Sequence, residues 1–173
     1  MFCQLNYHID KELHRNIFFD NIDLAHHHNT PFSEFTFWKK YFYFGPEVQQ
    51  IVNDLNLQGL NIKPRYSWQE SNTLLPPHID KNRIIGININ LMDEPAVLHI
   101  NSVPYSYECA LIDVGTQLHS VEPFHKDRLV LKLAIYDSWK VIWNRLNSIG
   151  MIGKPYGQYE SILYKDMKKF VRV

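Results

Sequence analysis

"DRLVLKLAIYD", residues 127–137, is the stretch that decides how this chain folds. Leu129, Leu131, Leu133 and Ile135 alternate in it with Arg128, Val130, Lys132 and Ala134. A period of two belongs to a strand, whose successive side chains point to opposite faces. One face is wholly aliphatic and suits packing on helices or a second sheet. The other mixes small residues with two cations, which suits the inside of a barrel that holds something polar.

Upstream, "RYSWQ" (65–69), "RIIGININL" (83–91), "AVLHI" (96–100) and "YECALIDV" (107–114) also read as strands, separated by turn formers. Helical spacing brackets them. "PEVQQIVNDLNL" (46–57) opens on proline and sets Val48, Ile51, Val52 and Leu55 on one face, with Gly59 as its expected stop. In "SWKVIWNRLNSIG" (138–150), Trp139, Ile142, Trp143 and Leu146 do the same, ending at Gly150. The expectation is one mainly β domain with flanking helices (α+β) over residues 1–173. Residues 1–60 form helical or irregular support, 61–136 the β core, and 137–173 a helix and tail. "FSEFTFWKKYFYF" (32–44) reads as core packing that can also wall a cleft, and the basic "YKDMKKFVRV" (164–173) as a solvated end.

Composition narrows the function classes. With 45% hydrophobic and 14% aromatic residues the chain can build a real core. Eighteen basic residues balance eighteen acidic ones, so no overall charge points to nucleic acid. Charges come too early for a secretory signal, and no apolar run reaches membrane-spanning length. Cys3 and Cys109 form no C-x-x-C, so neither a disulfide framework nor a zinc knuckle is suggested. A soluble, cytoplasmic protein is the expectation.

Chemistry gathers around "LLPPHIDKNR" (74–83). His78 and Asp80, two apart after a Pro-Pro stop, would present a nitrogen and an oxygen on one strand face, which is half of a metal site. A further histidine, His119, lies 41 residues on in "DVGTQLHSVEP", and Arg128 follows nine residues later on the non-aliphatic face of its strand. Two histidines and a carboxylate make a facial triad, which leaves positions open on an Fe(II) ion for an oxidisable cosubstrate and then O₂. An anionic cosubstrate also needs a cation, and a guanidinium suits a carboxylate best.

Through "PHID", "RIIGININL", "LHSVEP" and "DRLVLKLAIY", in that order over roughly residues 65–136, the chain resembles the 2-oxoglutarate- and Fe(II)-dependent oxygenase superfamily. The layout is most similar to its prolyl- and aspartyl/asparaginyl-hydroxylase-like branches. The resemblance implies a double-stranded β-helix (jelly-roll, cupin-like) core. It implies that His78, Asp80 and His119 hold Fe(II) as the catalytic centre and that Arg128 binds 2-oxoglutarate. The implied reaction is O₂-dependent hydroxylation of an amino-acid, peptidyl or other small substrate, with release of succinate and CO₂.

There are departures. Many members carry Arg-x-Ser, whose serine also touches the cosubstrate carboxylate, but here Val130 stands two residues after Arg128. Tyr66 and Asn90, on neighbouring strands, are the candidates for that second contact. The interval from H-x-D to the distal histidine is short, which demands compact intervening strands. Lys132 either adds positive charge on the Arg128 face or snorkels at the barrel mouth. Arg83 reads as a surface salt bridge or as a partner orienting Asp80. His99 and His125 lie off the motif, and His26-His27-His28 reads as a surface loop. The rival class is a cupin-like barrel that binds a metal or small ligand without oxygenase activity. Arg128 is the feature that separates the two readings. Neither the substrate nor the oligomeric state carries a motif.

Overall fold

The computed structural model describes residues 1–27, 38–81 and 85–153. Eleven strands are described: β1 (Phe2–Gln4), β2 (His26–His27), β3 (Trp38–Phe42), β4 (Ile62–Gln69), β5 (Leu75–His78), β6 (Ile85–Asn90), β7 (Leu98–Ile100), β8 (Val103–Tyr105), β9 (Cys109–Ile112), β10 (His119–Val121) and β11 (Arg128–Ile135). Three α-helices accompany them: α1 (Lys11–Phe19), α2 (Pro46–Asp54) and α3 (Trp139–Ser148). The strands form a seven-stranded sheet, ordered β1-β9-β6-β11-β4-β3-β2, and a four-stranded sheet, ordered β5-β10-β7-β8. All registered pairs are antiparallel. This is a double-stranded β-helix, or jelly roll.

Register explains how the large sheet uses its two faces, because directly paired residues point the same way. Leu129, Leu131, Leu133 and Ile135 of β11 pair with Trp68, Tyr66, Pro64 and Ile62 of β4. Leu131, Leu133 and Ile135 also pair with Ile89, Ile87 and Ile85 of β6. This apolar face carries the helices: Phe18 of α1, Val48, Ile51 and Val52 of α2, and Ile142 and Leu146 of α3 are buried in the same core. The opposite face looks inward to the small sheet, where Phe2, Leu98, Ile100, Ala110, Ile112, Val114 and Val121 fill a second core.

Each helix has a local cause. Asp10 caps α1 by accepting from the Leu13 amide at 3.0 Å, and His14 and Phe18, four apart, are its buried residues. Helix α2 starts on Pro46 but ends before Gly59: the chain leaves the helix at Leu55, and Asn56 takes the left-handed conformation (φ 54°). Gly59, also at positive φ, closes the following turn instead. Ser138 caps α3, and Gly150 (φ 70°) ends it as expected.

One expectation needs correction. Residues 1–60 do not serve only as helical or irregular support, because β1, β2 and β3 come from that part of the chain and extend the large sheet on both sides. Strand β3 (WKKYF) was hidden because two lysines interrupt its apolar pattern. Its Trp38 and Tyr41 face opposite ways, paired with Gln69 and Tyr66 respectively. Residues 28–37, Arg83 and the basic tail lie outside the described residues. No described helix is long and apolar enough to cross a membrane.

Candidate metal centre

His78 ends β5, and His119 opens β10 directly opposite it in the small sheet. Their rings lie with centroids 4.3 Å apart. Asp80 follows β5, its backbone amide tied to the Val114 carbonyl at 3.0 Å. The three side chains meet: one ligand atom from each lies within 4.8 Å of the others. Nε2 of His78 is 3.4 Å from one Asp80 oxygen, and Nε2 of His119 is 3.8 Å from the other.

The tautomers follow from the backbone. Nδ1 of His78 is 2.8 Å from the Pro76 carbonyl and Nδ1 of His119 is 3.0 Å from the Gln117 carbonyl. A carbonyl can only accept, so each ring donates its proton from Nδ1 and leaves an Nε2 lone pair toward Asp80. Burial lowers the His119 pKa to about 4, which keeps that ring neutral and able to ligate. The Gln117 carbonyl is delivered by a tight turn in which Asp113 accepts from the Thr116 amide at 3.2 Å and its hydroxyl at 2.6 Å. Two imidazoles and a carboxylate, oriented by their own backbone, fit a first-row divalent ion and leave part of its coordination sphere open.

Arg128 lies on the inward face of the large sheet and is 4% exposed. Its Nη2 donates to the Tyr107 hydroxyl at 3.0 Å, and its guanidinium carbon stands 5.7 Å from the centre of the Trp38 ring. Lys132 approaches the same ring at 4.5 Å. Among the described residues no carboxylate pairs with Arg128. The inward positions of β4, β6 and β11 hold Lys63, Arg65, Ser67, Gln69, Gly86, Asn88, Asn90, Arg128, Val130, Lys132 and Ala134, with no acid among them. Such a wall favours an anion.

Of the two candidates for the second carboxylate contact, one is turned away and the other faces inward. Tyr66 pairs with Leu131, so strand alternation sends it to the helix face, away from Arg128. There its hydroxyl meets His14 Nδ1 at 2.8 Å among Tyr41, Tyr43 and Phe18. Asn90 does face inward, but its amide closes on the backbone of Met92, donating at 2.6 Å and accepting at 3.2 Å. What stands beside Arg128 instead is Tyr107, Trp38, Gln69 and Asn88. Asn88 was legible from "IGININ", where asparagines alternate with isoleucines in a buried strand. Tyr107 was not: the alternation of "YECALIDV" sets it with Cys109 and Leu111 on the helix face, but β9 begins only at Cys109 and Tyr107 packs in the inner core. His99 and His125 pair with Glu122 and Glu94 away from the site.

No family model matches the chain. No curated protein matches it either. Solved structures do share its fold. A prolyl-4-hydroxylase from Pseudomonas putida superposes with a TM-score of 0.59 at 13% identity, covering 78% of this chain and 91% of that one. The collagen prolyl hydroxylase of Paramecium Bursaria Chlorella virus-1 gives 0.50 at 6% identity, covering 73% and 90%. The DMSP lyase DddQ from Ruegeria pomeroyi gives 0.51 at 12% identity, covering 79% and 68%. The chain therefore has the jelly-roll fold found in prolyl hydroxylases, and at these identities the likeness is one of fold.

Proposed function

We propose that the protein is a 2-oxoglutarate- and Fe(II)-dependent oxygenase that hydroxylates an amino-acid, peptidyl or other small substrate. The observation that carries this reading is the convergence of His78, Asp80 and His119 inside a jelly roll whose opposite wall buries Arg128 without a carboxylate partner among the described residues. A fold shared with two prolyl hydroxylases, one of them solved as a 2OG complex, supports it.

In this reading His78, Asp80 and His119 hold the iron. Bound Fe(II) and 2-oxoglutarate would supply O₂-dependent C–H hydroxylation, with release of succinate and CO₂. The chain's own part is placement and charge. Pro76 and Gln117 fix the two imidazoles as Nδ1–H tautomers. Asp80 adds the negative charge that a dication needs. Arg128 pairs with the cosubstrate's distal carboxylate, giving a buried guanidinium the anion it lacks, since an uncompensated buried charge costs several kcal/mol. Arg128 also favours this reading over a cupin-like barrel without oxygenase activity, since typical sites of that kind carry no cation on the last long strand.

The test is anaerobic addition of 2-oxoglutarate to the iron-loaded protein, followed by a substrate screen that measures succinate. The expected result is a visible charge-transfer band and substrate-stimulated succinate release. A protein that binds iron but gives neither, across amino-acid and peptide libraries, is a binding barrel rather than an oxygenase.

A further inference from the structure

One short turn touches two of the three converging side chains' residues. The Asp80 amide donates to the Val114 carbonyl at 3.0 Å, and His119 Nδ1 donates to the Gln117 carbonyl at 3.0 Å. Both carbonyls belong to residues 113–117, although Asp80 follows β5 and His119 opens β10. The remaining histidine is held differently. His78 donates to the Pro76 carbonyl, which lies between Pro76 and Pro77, where two rings fix the backbone. "DVGTQ" (113–117) contains no proline, so its shape depends on hydrogen bonds.

Those bonds centre on Asp113. It is 8% exposed, and among the described residues no cation meets its carboxylate. One carboxylate oxygen accepts from the Thr116 amide at 3.2 Å and the other from the Thr116 hydroxyl at 2.6 Å. The Asp113 carbonyl accepts from the Gln117 amide at 3.3 Å, and its amide donates to the Met1 carbonyl at 2.9 Å. The far side of the turn is tied to the β7–β8 hairpin, whose two-residue loop sets Asn101 and Ser102 at positive φ (49° and 66°). From there Asn101 donates its amide to the Leu118 carbonyl at 2.8 Å and its Nδ2 to Gln117 Oε1 at 2.6 Å. A carboxylate is costly to bury, and here both oxygens are committed to closing the turn.

We propose that Asp113 is the positioning residue of the metal centre: by closing the 113–117 turn it sets Asp80 and His119 against each other. The proposal rests on the reading of His78, Asp80 and His119 as metal ligands and deepens it. Asp113 is not one of the converging groups. It fixes the Gln117 carbonyl, which keeps the His119 proton on Nδ1 and the ring in its orientation. It fixes the Val114 carbonyl as well, which anchors the backbone of Asp80. Groups already placed lose less freedom when an ion binds, so a loosened turn weakens metal binding in a chain that still folds.

The experiment titrates full-length wild type, Asp113→Ala, Asp113→Asn, Thr116→Val and Asp10→Ala with Co(II), whose visible bands report ligand geometry. Melting temperatures are measured alongside. Asp113→Ala is expected to weaken Co(II) about tenfold to a hundredfold, the range for losing a ligand's supporting partner, and to change the bands. Thr116→Val removes one hydrogen bond, for a loss of about three- to tenfold, and decides the matter should Asp113→Ala not fold. Asp113→Asn still accepts from the Thr116 amide and can donate to its hydroxyl, so it should restore wild-type affinity and bands. Asp10→Ala, which loses a comparable bond at the start of α1, should melt lower and bind Co(II) as wild type does. Unchanged affinity and bands in Asp113→Ala and Thr116→Val, or an equal loss in Asp10→Ala, overturns the inference alone. A loss in Asp113→Asn as large as in Asp113→Ala also overturns it, because charge and not the turn is then the cause. Absence of Co(II) binding in wild type overturns the metal-centre reading and the inference with it.

Discussion

The two faces of strand β11 differ by one residue in sequence and by everything in chemistry. Leu129, Leu131 and Leu133 face the helices and are fully buried among aliphatic neighbours. Arg128 and Lys132, one step out of phase, face the chamber between the sheets and share the ring of Trp38. One strand thus carries the fold's stability and the site's charge separately, because alternation keeps the two sets apart. Substitutions on the helix face should move stability and leave ligands alone. Those on the chamber face should do the reverse.

The largest effect is expected on the helix face. Leu131→Ala should lower unfolding free energy by about 2–5 kcal/mol, as for other leucines truncated in a closed core. Denaturant unfolding measures it, and iron affinity of the folded fraction should stay unchanged. A loss of iron affinity at constant stability would show that the two faces are coupled.

Next comes the chamber face. Arg128→Met should raise the 2-oxoglutarate dissociation constant by about one to three powers of ten, since losing one member of a desolvated charge pair costs roughly 2–5 kcal/mol. Iron binding and melting temperature should hold. Equal cosubstrate affinity in the variant would move the carboxylate to another cation, with Lys132 next on the same face.

A smaller effect concerns pH. His14 is buried against Tyr66 on the helix face, and burial lowers its pKa, with Glu47 and Asp10 opposing in part. A histidine held neutral in the fold binds a proton more readily when unfolded. Stability should therefore fall as pH drops below the ordinary histidine value of 6.5, toward the lower folded value. His14→Gln should flatten that slope in urea unfolding between about pH 7 and pH 5. An identical slope would assign the acid sensitivity to other groups. The smallest effect is Asp10→Ala, which should cost about 1 kcal/mol through the lost α1 cap.

Much of the architecture was legible because the two faces of β11 and the isoleucine-asparagine alternation of β6 state their own period. The triad residues could be named from order and type, and the structure brings all three together. What stayed hidden depended on pairing rather than on local pattern. Tyr66 and Asn90 were plausible because they flank β11. Only register shows that Tyr66 faces the helices, and only the Met92 backbone contacts show that the Asn90 amide is already engaged. Strands β1 and β10 are three residues each, too short to print a period. Trp38 and Tyr107 reach Arg128 across 90 and 21 residues of sequence, a distance no spacing rule spans.

In the proposed function His78, Asp80 and His119 form one iron site that presents 2-oxoglutarate to Arg128. Its most direct measurement is anaerobic titration of wild type and His119→Ala with Fe(II), followed by 2-oxoglutarate. One iron per chain and a visible charge-transfer band are expected in wild type. In His119→Ala the expected iron affinity is lower by more than about a hundredfold, beyond what removal of a ligand's supporting partner costs. Iron binding of equal strength in His119→Ala, or a band that persists without the histidine, would contradict it.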